Sequence, residues 1–348
     1  MNSWLRVAGM GLAIAFLAYT VVNASWLAAK PSGVPMLVAH RGIGQLSYAS
    51  GKAANDCSAR GIDEPYHLLI DNTVDAARRA VQLGAHLVSL DVTKSRDDEI
   101  VFFADAALDC RTDGTGPVRG KTLTELKALD MGYGYTANGL SFPLRGRGTG
   151  KMATLAEMHA FTPRRTRILY RFTADEAGDA DLLAKRLREA GRDPVEARDA
   201  FYGEPAAVAR IRQLFPKAWA WTREEAWQCT SDYRLTGWTG FLPESCKGKT
   251  MLVPLDSQWT LWGWPNRLIQ RMEEHGGKIV VVESYDEGAP LRGLTLPEQL
   301  GDIPRSFNGF ILVEDGFTVI PARVPRFDNR RQQEVDAAEA ALERRRAL

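Results

Sequence analysis

A histidine and an arginine, His40 and Arg41, follow the apolar run Met36–Ala39, while Asp91 lies at the end of Leu87–Val92 and Arg171 near the end of Arg167–Phe172. These types suit proton transfer and phosphate chemistry. An imidazole titrates near neutrality and can move a proton; a guanidinium can grip a phosphate through two parallel N–H donors; a carboxylate can hold a hard divalent cation. Side chains alternate along a strand, so residues 89 and 91 share one side of it, but position 89 is Ser. Each residue also has a structural reading: His40 as a hydrogen-bonded strand-end imidazole, Asp91 as a structural carboxylate. His67, His86, His159 and His275 stand in no motif and are expected on the surface or in packing roles. The run Arg145–Lys151 invites a phosphate-loop reading that its spacing refutes. Arg145 stands where the first glycine is required and Met152 where Ser or Thr is required, so a flexible basic loop is expected.

The elements that must position these residues read as short β-branched runs alternating with amphipathic stretches. Strands are expected at Met36–Ala39, Leu87–Val92, Ile100–Phe103, Arg167–Phe172, Ala218–Trp221, Met251–Val253, Lys278–Val282 and Phe310–Val313. Helical spacing recurs in Thr73–Leu83, Asp179–Ala190, Glu204–Leu214 and Pro265–His275. Such alternation argues a parallel sheet covered by helices. Periodicity alone does not choose between an open sheet and a closed barrel, although no G-x-G-x-x-G follows the first strand, as a dinucleotide fold would require.

Composition is that of an ordinary globular protein: 348 residues, 45% apolar and 25% charged, with a net charge of +1. That balance excludes a basic nucleic-acid footprint, and no nucleic-acid partner is expected. The average hides the N-terminus, where no charged residue occurs between Arg6 and Lys30. Val7 to Ala29 as a helix spans roughly 34 Å, enough for a bilayer core of about 30 Å. It is expected to be a retained anchor with Arg6 on the cytoplasmic side, sending the chain to the periplasm or another extracytoplasmic space. The alternative is a cleaved secretory signal ending near Val22-Asn23-Ala24. Four cysteines in an exported chain favour disulfides over zinc. Of the three pairings, Cys57–Cys110 with Cys229–Cys246 keeps each bridge within one half of the chain.

With these elements in place, the chain resembles the glycerophosphodiester phosphodiesterases. In that family His-Arg-Gly ends the first strand, Glu-Asn-Thr opens the first helix, Glu-x-Asp ends the second strand, and His-Asp follows the third. The corresponding residues here are His40-Arg41-Gly42, Asp71-Asn72-Thr73, Ser89-Leu90-Asp91, and Ala104-Asp105 after Val101-Phe102-Phe103. The stretches Leu108–Gly116 and Thr122–Asp130 match the family's next two segments, while Gly277–Val281 and Phe307–Ile311 resemble its last two strands. The likeness implies a (β/α)₈ TIM barrel, here with an N-terminal transmembrane helix. It also implies hydrolysis of a phosphodiester by two histidines around a divalent cation, Mg or Ca. Carried over residue by residue, the catalytic candidates are His40 and Arg41. The substrate-binding candidates are Arg41, Asn72 and Arg171, and the metal candidates are Asp91 and Asp71.

The family's second histidine is Ala104 here, its first metal carboxylate is Ser89, and Arg167–Phe172 has no acid for the third ligand. Alanine moves no proton, and a neutral hydroxyl is a poor substitute for a carboxylate around Mg²⁺ or Ca²⁺. The expectation is an eroded site that binds a phosphodiester or another phosphate-bearing small molecule with little or no hydrolysis. The alternative is an active metal-dependent phosphoric diester hydrolase of lipid metabolism with compensating ligands. The expected domains are an anchor or signal over 1–30, a barrel over 31–325 with an insert at about 222–249, and a charged, solvated helix over 326–348. Seven tryptophans between Trp219 and Trp264 suit a choline-like or sugar ligand, or the packing of that insert onto the barrel, which is the expected use. Any protein partner is left open.

Overall fold

The computed structural model describes residues 3–47, 57–161, 166–286 and 290–347. Among the described residues nine strands form: β1 (Met36–His40), β2 (Leu87–Lys94), β3 (Ile100–Phe102), β4 (Arg167–Phe172), β5 (Ala200–Gly203), β6 (Trp219–Trp221), β7 (Thr250–Pro254), β8 (Lys278–Val282) and β9 (Phe310–Val313). Eight of them run parallel in the order β6-β5-β4-β2-β1-β9-β8-β7. This is a nearly closed eight-stranded barrel. Among the described residues the backbone ladder does not continue from β6 to β7, and there the Trp219 indole N–H donates to Thr250 Oγ1 at 2.9 Å across the seam.

One of the eight expected strand positions needs correction, and one barrel strand was not expected at all. Ile100–Phe102 is a strand, but it pairs antiparallel with the extended end of β2 (Val92 with Phe102) and lies off the barrel. The missing barrel strand is β5, whose Ala-Phe-Tyr-Gly sequence has no β-branched residue and ends on Gly203 at φ 129°. Phe201 and Tyr202 favour extended backbone, but four residues ending on glycine give a short signal, and pairing with β4 and β6 completes the strand.

Inward side chains of alternate strand positions, including Val38, Leu87, Leu169, Leu252, Val280 and Leu312, pack in the lumen. Outward ones, including Leu37, Val88, Ile168, Phe201 and Val281, pack under the helices Val74–Leu83, Ala177–Glu189, Pro205–Leu214 and Asn266–Glu274. A third apolar cluster joins Ile62, Ile70, Phe103, Leu108, Tyr135 and Leu144 beneath the long loops at the strand ends. The Cys57–Cys110 disulfide packs against it. The second disulfide, Cys229–Cys246, ties helix Arg223–Thr236 to the segment entering β7. Residues 222–249, expected as an insert, are thus the barrel's own connection from β6 to β7.

The run Arg145–Lys151 is tied down rather than flexible. The N–H groups of Gly132 and Gly148 donate to the Asp130 carboxylate at 2.9 and 2.8 Å, Lys151 pairs with Asp75, and the Arg145 guanidinium lies 4.0 Å from the Tyr133 ring centre. The C-terminal helix, Gln332–Arg346, is likewise no solvated appendage. It buries Ala338, Ala341 and Leu342, and its Arg345 reaches Asp63 at 2.7 Å and Asp315 at 2.6 Å. At the other end the apolar helix runs Ser3–Asn23, shorter than Val7–Ala29 suggests at its C-terminal side. Residues beyond Asn23 leave the helix because the barrel holds them, with the Asn266 N–H donating to Ser25 Oγ at 3.0 Å.

Candidate functional site

β1 and β2 pair with His40 opposite Ser89, and β2 and β4 pair with Asp91 opposite Arg171. The second rung continues through Tyr202 on β5 to Trp221 on β6. His40, Asp91 and Arg171 therefore come to the C-terminal mouth of the barrel, the end at which barrel enzymes build their sites.

The loop after β1 is anchored to the first helix. Arg41 (φ 57°) and Asn72 (φ 60°) both adopt the left-handed conformation that non-glycine residues seldom take, and the Asn72 N–H donates to Arg41 O at 2.9 Å. Gly42 is required, since a Cβ there would lie 2.8 Å from the Ala76 carbonyl carbon. Thr73 caps the helix by accepting from the Ala76 N–H at 3.2 Å. Asp-Asn-Thr thus does three separate jobs: Thr73 starts the helix, Asn72 turns inward to Asp91, and Asp71 turns to Arg111.

Asp91 is the hub. Arg171 Nη1 donates to Oδ1 at 2.8 Å, Arg41 Nε lies 2.8 Å from Oδ2, and Asn72 Nδ2 donates to Oδ2 at 2.9 Å. The Asp91 N–H returns to Asn72 Oδ1 at 2.9 Å. Burial works against the charged carboxylate, but Arg41 and Arg171 outweigh it and hold it well below the usual carboxylate range. The Asp91 side chain is fully buried, whereas those of Arg41 and Arg171 stay 19% and 23% exposed. Two cations thus share one carboxylate at the rim, a net positive spot open to the mouth.

His40 has a partner that the sequence did not indicate. Its Nδ1 lies 2.8 Å from Glu314 Oε2, just beyond the end of β9. Burial opposes the Glu314 charge, but His40 and its hydrogen bond bring that carboxyl down to about 2. A carboxylate acceptor places a proton on Nδ1, which leaves Nε2 as the nitrogen able to accept another. Asp71 was a metal candidate, and instead both its oxygens accept from Arg111 Nη1 at 2.9 Å, with the Tyr135 hydroxyl donating to Oδ1. Arg111 Nε also donates to Asp105 Oδ2 at 2.9 Å, so the acid beside Ala104 is committed as well. Glu314, Arg111 and Tyr135 were missed. For Glu314 the available signal was an acid immediately after the closing strand; Arg111 lay inside a matched stretch but carried no role.

The family's divalent cation does not fit these residues. Each oxygen of Asp91 and Asp71 is engaged by an arginine, an asparagine or a tyrosine, and Glu314 holds His40. Ser89 supplies no carboxylate, and the inward β4 residue in register with it is Leu169. Among the described residues no group of three His, Cys, Asp or Glu side chains is placed to hold a metal. The remaining histidines pack or cap: His86 Nδ1 accepts from the Leu37 N–H, His159 pairs with the Tyr170 hydroxyl, His275 with Arg271 O, and His67 lies against Phe317.

Comparison with known proteins agrees with this architecture. The pattern of the Glycerophosphoryl diester phosphodiesterase family matches residues 40–244. A glycerophosphodiester phosphodiesterase of Caldanaerobacter subterraneus is 42% identical over 65 residues, which are 19% of this chain and 27% of that protein's length. Among solved structures, the glycerophosphoryl diester phosphodiesterase domain of an uncharacterized Mycobacterium tuberculosis protein superposes with a TM-score of 0.57 at 20% identity, covering 84% of this chain and 99% of that one. An Oleispira antarctica phosphodiesterase, solved in complex with the product sn-glycerol-3-phosphate, gives 0.50 at 16% identity over 85% and 98%. At such identities the superpositions speak to the fold, while the ordered match from His40 onward runs through the residues at the mouth. This chain belongs to the glycerophosphoryl diester phosphodiesterase family.

Proposed function

We propose that the protein is a membrane-tethered member of this family whose mouth recognises a phosphate-bearing ligand of the glycerophosphodiester type, with little or no hydrolysis. The observation that carries the reading is the arrangement of Arg41 and Arg171 around Asp91. Where the family holds a cation between carboxylates, this chain presents two guanidinium groups, which bind phosphate oxygens directly through paired N–H donors. The sn-glycerol-3-phosphate bound in the Oleispira phosphodiesterase supports a ligand of that chemistry. Ala104 supports the loss of turnover, because nothing at that position can protonate a leaving oxygen.

One observation favours a second reading. The His40–Glu314 pair preserves one oriented acid/base group, which a slow hydrolysis aided by the arginines would use. The tether reading rests on the exposed apolar helix Ser3–Asn23, whose Arg6–Asn23 stretch is long and apolar enough to cross a membrane. The two disulfides support an extracytoplasmic barrel.

The deciding experiment uses the full chain in detergent. Calorimetric titration with sn-glycerol-3-phosphate and glycerophosphocholine is run beside an assay for released glycerol phosphate. Binding without turnover, lost in Arg41→Ala, is the expected result. Measurable release of glycerol phosphate that His40→Ala abolishes would replace the first reading with the second.

A further inference from the structure

The tryptophans between Trp219 and Trp264, expected to pack residues 222–249 onto the barrel, separate into groups. Trp219 and Trp221 line the lumen, and Trp227 stacks on Tyr285. Trp259, Trp262 and Trp264, joined by Trp26 from the segment after the N-terminal helix, line a groove of about 520 Å³. Trp262 and Trp264 are fixed from within, their indole N–H groups donating to Arg234 O and Gln258 Oε1. Trp26 and Trp259 instead stand 77% and 80% exposed, and Trp238, whose carbonyl accepts from the groove residue Asn23, is 52% exposed. Large aromatic side chains left in water lose the benefit of burying their apolar rings.

The end of the N-terminal helix is clamped to this same face. Arg271 Nη2 donates to Val22 O at 2.9 Å, Asn23 Nδ2 donates to Trp238 O at 2.8 Å, and the Tyr19 and Trp262 rings meet edge to face at 5.8 Å. Gly240 lets the helix approach closely, since a Cβ there would lie 2.4 Å from a Val22 methyl. No free linker separates helix from groove, so the position of one fixes the position of the other. Trp26 lies three residues beyond the helix end, within roughly 10 Å of it along the chain. Above the clamp the helix exposes Met10, Leu12, Ile14, Phe16 and Leu17. An apolar surface of bilayer length therefore runs without interruption into a patch of exposed indoles, the order found where a chain passes from hydrocarbon to headgroups.

We propose that this groove is a bilayer seat: Trp26, Trp238 and Trp259 insert at the headgroup level of the phospholipid membrane that the helix enters, holding the barrel against its surface. The inference rests on the tether reading above. Trp259 sits in the turn Leu255–Thr260 that leaves the C-terminal end of β7, the end that carries Asp91 and Arg171. Trp238, in the turn Gly237–Thr239 that precedes β7, and Trp26, which precedes β1, stand toward the end where the strands begin, so the seat runs along the flank of the barrel. A soluble protein partner or a second copy of the chain would cover the indoles but leave the adjoining apolar helix in water.

The test is quenching of tryptophan emission in the full chain, reconstituted in phosphatidylcholine–phosphatidylglycerol vesicles whose acyl chains carry bromine near the headgroup. A Trp4→Phe background removes the one tryptophan inside the helix. In it, bromolipid should still quench a distinct share of the emission. That share should shrink with each of Trp26→Ser, Trp238→Ser and Trp259→Ser, and nearly vanish in the triple variant, with the thermal midpoint unchanged because all three side chains are exposed. Vesicle-bound protein whose emission in the Trp4→Phe background is unquenched would overturn the seat and leave the tether standing. Protein that fails to stay with vesicles, or is found cut near Ala24, would overturn tether and seat together. Cross-linking of two chains through Trp259→Cys would assign the groove to a second copy and overturn the seat.

Discussion

Arg171 Nη1 lies 2.8 Å from Asp91 Oδ1 on the rung where β4 pairs with β2, so the carboxylate expected to hold a metal holds an arginine instead. The remaining oxygen is shared by Arg41 and Asn72. The Asp91 charge is thereby neutralised from within the chain, one positive charge is left at the rim, and the balance depends on three side chains together.

Removing Asp91 should therefore be costly. Asp91→Ala leaves two buried-edge guanidinium groups facing each other without a counterion, and a loss of about 3–5 kcal/mol is expected from the uncompensated charge. Urea denaturation of Asp91→Ala against Asp91→Ala/Arg171→Met checks this, because the second substitution should recover part of the loss. Equal midpoints for the single and double variants would show that the pair is not coupled.

Divalent cations should have no specific effect on the unmodified protein. Mg²⁺ or Ca²⁺ titration should give no stoichiometric heat, and EDTA should leave the thermal midpoint where it was. Restoring the family residues should change that. The register places Leu169 in the lumen beside Ser89, while Tyr170 faces the outer core, so Ser89→Glu with Leu169→Glu and Ala104→His is the combination expected to gain metal affinity and some glycerophosphodiesterase activity. A tight metal site in the wild-type chain would refute the present reading of Asp91.

Each disulfide should contribute roughly 2–4 kcal/mol, chiefly by restricting the unfolded chain. Cys57–Cys110 closes a separation of 53 residues and Cys229–Cys246 one of 17, so the first is expected to contribute more. Paired Cys→Ala variants compared by guanidinium denaturation give the two values. Reduction should also loosen the loops over the mouth before the barrel itself, which hydrogen exchange of residues 101–152 would register.

Stability should fall in acid in two stages. Burial pushes His67 down to about 4, and burial with Arg192 nearby does the same to His159. The unfolded chain binds protons at these residues from about pH 6.5 downward and the folded chain does not, so stability is lost as pH drops from about 6.5 to 4, by up to about 1.4 kcal/mol per pH unit for each histidine. Glu314, held at about 2 by His40, adds stability present above the ordinary carboxylate range of about 4.3 and lost as pH falls toward 2. Denaturation at a series of pH values checks both windows, and His67→Gln should flatten the first.

The sequence by itself determined the alternation of strands and helices and the anchor-like N-terminus, favoured one of three cysteine pairings, and through its resemblance to the family indicated the clustering of His40, Arg41, Asn72, Asp91 and Arg171. Those properties are local, or belong to ordered motifs: a strand's period, a helix cap such as Thr73, a glycine such as Gly42 that a close approach demands. Only the tertiary structure decided what each charge does. β5 became a strand because β4 and β6 flank it, and Ile100–Phe102 left the barrel because it folds back on β2. Glu314 met His40 across 274 residues, Arg171 met Asp91 across 80, and Arg111 took Asp71 across 40. A carboxylate reads the same in a sequence whether it faces a cation or a guanidinium; barrel register and closure set which one lies within hydrogen-bonding distance, and that distance fixes whether the mouth holds a metal or an arginine pair.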